Sequence, residues 1–323
     1  LNEEGKQVHG RGAEWQFSGD VLKKALDDAT RLTLHDQETA GIEIVSDGEQ
    51  RRKSYLTHIT SQLEGFDYQK LTKKWTRNRR RLAEVGRCIG AIKRKGPILR
   101  AELDFLLRET KLPIKVTLPG PMTVVDSTAD EHYRDEEKLA MDVAVALNEE
   151  ALELEKQGAA VIQFDEPVFS RYPEKVVSWG IRALDRCLKG LSTAKSVAHI
   201  CYSYPMPGVP RPIVDSYPVI LEALEDSKVD QLALEFEASK LAPSLLRRCP
   251  SKTVLFGCID NGTNAIENPR DVADKLLAAA EHLPPTQIQA APDCGLVPLP
   301  IDIARLKLKV MVEGAKLARQ EFQ

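Results

Sequence analysis

The chain has 323 residues, 42% of them hydrophobic and 29% charged, with a formal net charge of −3. These figures exclude a disordered chain and a dedicated nucleic-acid surface, and no run reaches the roughly 18 apolar residues of a membrane span. Residues 1–20 hold no apolar core of a secretory leader, and the six scattered cysteines suit a reducing, cytoplasmic setting better than a disulfide scaffold.

In chain order, residues 20–40 read as a helix, with Val21, Leu22, Ala25, Leu26, Ala29 and Leu32 on one side. Residues 42–46 form the first strand candidate. Others follow at 113–118, 160–165, 196–202, 231–236, 253–260 and 287–292, each short, apolar and bounded by Gly, Pro, Asp or Ser. Between them, residues 136–158, 271–282 and 303–318 have helical period, and Asn268-Pro269 opens the second of these. Residues 70–100 carry Trp75, Arg77, Arg79, Arg80 and Arg81. They read as a basic helical excursion inserted in a single domain over 1–323, a solvated face rather than a nucleic-acid patch. Pro205 to Pro212 reads as a rigid loop directly after a strand end.

Alternation of strands and helices along a whole chain implies a parallel sheet buried on both faces, so the fold class is α/β. The expected architecture is a (β/α)8 TIM barrel. Seven strands are legible where a closed barrel needs eight, so a first strand is expected before Leu1 or hidden in the reading. A doubly wound open sheet is the rival, but no glycine-rich phosphate loop follows the first strand.

In such a barrel the chemistry gathers at the C-terminal strand ends. Those ends offer Ser46-Asp47-Gly48-Glu49, Asp165-Glu166-Pro167, His199-Ile200-Cys201, Glu235-Phe236-Glu237, Cys258-Ile259-Asp260 and Asp293-Cys294-Gly295. Residues i and i+2 on a strand face the same way, so His199 and Cys201 can enter one cavity. With Glu235 and Cys294 they make a two-sulfur, one-nitrogen, one-oxygen set suited to Zn2+. The bland alternative is that Cys201 and Cys294 only pack the barrel mouth. A zinc site of this kind would deprotonate a thiol substrate at neutral pH.

Asp293-Cys294-Gly295, the His199-x-Cys201 pair, Asp165-Glu166-Pro167 and Leu118-Pro119-Gly120-Pro121-Met122-Thr123 together resemble the catalytic domain of cobalamin-independent methionine synthase, in its short, single-barrel form. The resemblance implies zinc held by His199, Cys201, Glu235 and Cys294. It also implies an amino-acid thiol, homocysteine, held through its ammonium group by Glu49 and Asp165, with Ser46 and Asp260 beside the substrate. Asp165 and Glu49 are thus the expected catalytic carboxylates, and the partners are a small-molecule thiol and a methyl donor of folate or corrinoid type. Two departures stand out. Long-form members place a tryptophan under the folate shortly after the Gly-Pro-x-Thr strand end, where this chain has Val124-Val125-Asp126-Ser127. They also place a histidine after the seventh strand, where this chain has Asp260-Asn261-Gly262. A thiol alkyltransferase or C–S lyase acting on another electrophile, such as an epoxide, is the alternative.

Overall fold

The structure is a computed structural model that describes residues 17–204 and 211–322. Residues 1–16, 205–210 and 323 lie outside the described residues, and with them the readings of residues 1–16 and of most of the Pro205 to Pro212 loop. The chain divides into two compact units: Leu1–His35, Ile44–Phe164 and Arg182–Ala194 form one, and Asp36–Glu43, Asp165–Ile181 and Lys195–Gln323 the other.

The first unit takes most of the helix Gly19–Ala40 and then a long antiparallel hairpin, β1 (Leu63–Thr76) and β2 (Arg81–Arg94). The hairpin corrects the helical reading of residues 70–100. Its physical basis is visible in the register. Gly65, at φ +87°, sits at the shift between Glu64 and Phe66, where a Cβ would fall 2.6 Å from Gly90 O; glycine supplies the bulge that bends the ribbon. Arg87 pairs with Asp67 across the strands and with Glu131 at 3.0 Å, so its charge is neutralised at the ribbon. β4 (Thr128–Asp130) adds to β2 in parallel. β3 (Lys115–Pro119) and β5 (Val161–Asp165) are neighbours in a second sheet, and Val45 makes a single parallel bridge to Ile114. Only that bridge remains of the strand expected at 42–46.

The helix Glu136–Gln157 shows why its boundaries were legible. Asp135 caps its start by accepting from Lys138 N at 3.2 Å, and Gly158 at φ 116° ends it in the left-handed region. Leu139, Val143, Leu147, Ala151 and Leu154 are fully buried on one stripe, each large side chain contributing roughly 1.5–3 kcal/mol relative to exposure.

In the second unit β6 (Lys195–Ile200), β7 (Gln231–Leu234), β8 (Thr253–Ile259) and β9 (Ile288–Pro292) lie side by side in that order, all parallel. Val197, Leu232, Leu234, Val254, Phe256 and Ile259 are almost wholly buried, as strands covered on both faces require. The helices Pro269–Ala280 and Ile301–Glu321 follow. Asn268 caps the first by accepting from Arg270 N at 2.8 Å, with Pro269 at the first helical position. Among the described residues no helix is long and apolar enough to cross a membrane.

Candidate metal centre

The parallel strands of the second unit end on the same side, and their ends carry the site. His199 is the penultimate residue of β6, with Ala233 of β7 opposite it. Cys201 follows two residues later, and Cys294 stands two residues past the end of β9. One ligand atom from each of the three falls within 4.8 Å of the others, and the two sulfurs are 4.0 Å apart. Sulfurs bound at about 2.3 Å on a tetrahedral zinc lie about 3.8 Å apart, so the spacing suits that ion.

The orientation of His199 is set from behind. Its Nδ1 is 2.8 Å from Asp165 Oδ1, and its carbonyl accepts from Glu166 N at 2.8 Å. Its Nε2 is buried without a hydrogen-bond partner. A buried polar nitrogen left open is costly unless something occupies it, and a carboxylate behind the other ring nitrogen is the usual support of a metal-binding histidine. The donor set, the open Nε2 and the sulfur spacing fit zinc.

Charge is arranged to match. The Cys294 hydrogen bond, with His199 adding its charge, holds the Cys201 thiol well below the ordinary range despite burial. Cys294 is pushed well up by its neighbour Cys201 and by burial, so the proton of the pair sits there. Burial opposes the imidazolium of His199, but Cys201 and Asp165 outweigh it and raise the group well above its usual value. Ser203 N also donates to Cys201 Sγ at 3.4 Å.

Glu235 follows directly after β7 and is 1% exposed, but it does not join the three-residue cluster. Its Oε2 accepts from Tyr202 N at 2.9 Å and from Arg211 Nη1 at 2.7 Å. Arg211 Nη1 is also 2.7 Å from Oε1, in a geometry that leaves Oε1 buried without a hydrogen bond. Burial raises the pKa of this carboxyl above its ordinary value, against the pull of Arg211.

Sequence reasoning missed the residues that hold the strand ends at their spacing. The Tyr217 hydroxyl donates to Ile200 O at 2.9 Å and accepts from Glu235 N at 3.1 Å, tying β6 to β7. Asp293 accepts from Phe236 N, Glu237 N and Ala238 N at 3.0, 2.9 and 2.6 Å, reaching from the end of β9 to the end of β7. Burial pushes its pKa up to about 8, against those three bonds and with help from Glu235. It passes over β8 at Gly257, where a Cβ would come 2.2 Å from Asp293 Oδ1 and 2.6 Å from Leu234 O. Neither residue type carries a signal for this in one dimension. The clue for Asp293 was only its place beside Cys294.

The other expected residues are placed as follows. Asp260 Oδ1 accepts from Gly262 N at 2.7 Å, closing its own turn, and Asp260 O accepts from the fully buried Lys307 at 2.9 Å. In the first unit, Glu49 stands in the left-handed region at φ 57° directly after Gly48. Its Oε1 accepts from Thr117 Oγ1 at 2.7 Å and Arg52 Nη1 at 3.1 Å. Ser46 Oγ accepts from Gly48 N at 3.3 Å, and Asp47 Oδ1 accepts from Glu49 N at 3.0 Å, so both shape the turn that carries Glu49. Cys258 is fully buried and donates to Ala291 O at 3.5 Å, a core position.

Residues 2–317 match the family model described as cobalamin-independent synthase, catalytic domain. A methionine synthase of Sulfurisphaera tokodaii is 32% identical over 309 residues, covering 95% of this chain and 86% of the relative. One from Thermococcus kodakarensis is 31% identical over 303 residues, covering 93% and 85%. Among solved structures, a B12-independent methionine synthase from a Shewanella species, in complex with selenomethionine, is 36% identical with a TM-score of 0.89, covering 96% of this chain and 92% of that one. The chain belongs to the cobalamin-independent synthase family, and it is that family's catalytic domain which nearly its whole length matches.

Proposed function

We propose that the chain is a zinc-dependent thiol methyltransferase that converts homocysteine to methionine in the cytoplasm. The observation that carries the proposal is the cluster of His199, Cys201 and Cys294, with ligand atoms within 4.8 Å of one another and a buried, open Nε2. The relatives named methionine synthase support the reaction, and the TM-score of 0.89 supports a (β/α)8 barrel as the frame. Glu235 is the fourth ligand in this reading. Glu49, Asp165, Ser46 and Asp260 are its substrate contacts, since an α-ammonium group is recognised by carboxylates and hydroxyls.

When bound, zinc supplies a Lewis-acidic position at which a thiol is held as thiolate near neutral pH. The chain's own residues do the rest. Asp165 holds the His199 ring so that Nε2 faces the sulfurs. The surroundings favour the thiolate at Cys201 and the thiol at Cys294, so Cys294 is the harder of the two sulfurs to deprotonate as a ligand. Tyr217 and Asp293 keep the contributing strand ends at a set distance. In the transfer the substrate sulfur's electron pair forms the S–CH3 bond. The donor leaves with the pair of the bond it loses, and the thiol proton goes to solvent. No aromatic side chain stands among residues 124–127, which weakens the case for a folate donor and leaves a corrinoid-type donor as the other option.

Metal analysis with X-ray absorption before and after addition of L-homocysteine tests the proposal. One zinc per chain that gains a sulfur neighbour supports it; no zinc after anaerobic reconstitution sinks it. A panel of methylcobalamin, methyltetrahydrofolate and epoxides, read by thiol loss, separates methyl transfer from the alkyl-transfer alternative.

A further inference from the structure

We propose that Arg211 is a positioning residue that competes with the metal for Glu235, so that this carboxylate is a ligand the protein can withdraw when a thiol enters. The inference rests on the zinc reading above and adds a residue and a role to it. Its basis is the state in which Glu235 is found. The carboxylate is 1% exposed, stands outside the His199, Cys201 and Cys294 cluster, and has the Arg211 guanidinium 2.7 Å away. Arg211 is itself anchored, since Nη1 also donates to Ser203 O at 2.9 Å, on the segment that directly follows Cys201.

A buried carboxylate needs a counter-charge wherever it sits. Here two lie within reach: the guanidinium and the ion that the thiolates would hold. Arginine stays charged at every working pH, so its claim on Glu235 does not lapse. When a third sulfur approaches a metal that already carries two thiolates, the hard oxygen donor is the weakest ligand of the set. Released alone, Glu235 would be a stranded buried charge, which the interior strongly disfavours. Released toward Arg211, it moves into an ion pair that is already formed. Tyr202 N, which donates to Oε2 at 2.9 Å, steadies the carboxylate in that position, while Oε1 is the oxygen left without a hydrogen bond.

The test uses Arg211→Met, Arg211→Lys and the double variant Arg211→Met/Glu235→Gln. Zinc affinity is read by competition with a chromophoric chelator. Thiol entry is read from the sulfur-to-cobalt absorption of the Co2+-loaded protein titrated with L-homocysteine. Removal of the competing cation should tighten zinc about tenfold and raise the homocysteine midpoint about tenfold. Arg211→Lys, which keeps the charge but loses the fork, should fall between. Both effects should vanish when Glu235 is Gln, because Arg211 acts only through that carboxylate. Wild-type values in Arg211→Met overturn the proposal, and so does weakened zinc binding of equal size with either residue at 235, which marks a structural role alone. Wild-type protein that takes up neither ion defeats the zinc reading itself and this inference with it. Metal uptake by the wild type with no Arg211 effect defeats the inference alone.

Discussion

Asp165 Oδ1 and His199 Nδ1 are 2.8 Å apart, and that bond decides which ring nitrogen is left for a ligand. In the zinc reading Asp165 therefore acts on the metal through His199, beside any contact with substrate. Asp165→Ala should weaken zinc binding by about 10- to 100-fold, measured by chelator competition, and Asp165→Asn should weaken it less because the amide oxygen still accepts. Unchanged affinity in Asp165→Ala would remove the orienting role.

Cys294→Ser should lose zinc and methyl transfer together, because one of the two sulfurs 4.0 Å apart is gone. Cys258→Ser is the matched control. It alters a fully buried thiol and should leave metal content at the wild-type level, with a stability cost of about 1 kcal/mol. Elemental analysis of both variants reads the outcome, and a zinc-replete, fully active Cys294→Ser would contradict the ligand assignment.

Glu150 is 1% exposed and accepts from Arg94 Nε at 2.7 Å, from Leu99 N at 2.8 Å and from Ile98 N at 3.0 Å. Glu150→Ala leaves Arg94 with Glu153 at 2.6 Å but strands the backbone donors of Ile98 and Leu99, and should destabilise the protein by about 2–4 kcal/mol. Denaturant unfolding measures it; a loss below 1 kcal/mol would show that water replaces the carboxylate.

Glu155 Oε1 accepts from Ser192 N, Thr193 N and Ala194 N at 2.8, 2.7 and 2.8 Å. Burial works against its charge, but these bonds outweigh it and hold the carboxyl below its ordinary range. A depressed folded pKa means stability that is present above the unfolded value, near 4.3, and is lost as pH falls through the folded one. Melting temperatures of wild type and Glu155→Gln should therefore differ at neutral pH and converge under acid. A gap that persists unchanged into acid would contradict the assignment.

The strand ends were legible because the parallel strands are short apolar runs, so Asp165 at the end of β5, His199 near the end of β6 and Cys201 just past it stand out. The hairpin was not. Its reversal runs through Arg77, Asn78 and Arg79, all at positive φ, with no glycine to announce the turn. Its strands carry charge on positions where alternation would otherwise show. Arg211 was equally hidden, because it pairs with a carboxylate 24 positions later and stands in a loop whose prolines drew the eye instead. Tyr217 carried no signal in one dimension, since only its hydroxyl, between two strand ends, gives it a task.

Gly257 has a consequence of its own. Because it has no side chain, Asp293 can lie across β8 and grip the backbone of β7. The two residues flanking that grip are Glu235 and Cys294. Their separation is therefore dictated by inter-strand spacing, a dimension near 4.8 Å per strand that hardly stretches. The backbone is stiff where these two residues leave the sheet, so in the zinc reading Cys294 is presented from a fixed base and any exchange at Glu235 is a motion of its side chain alone.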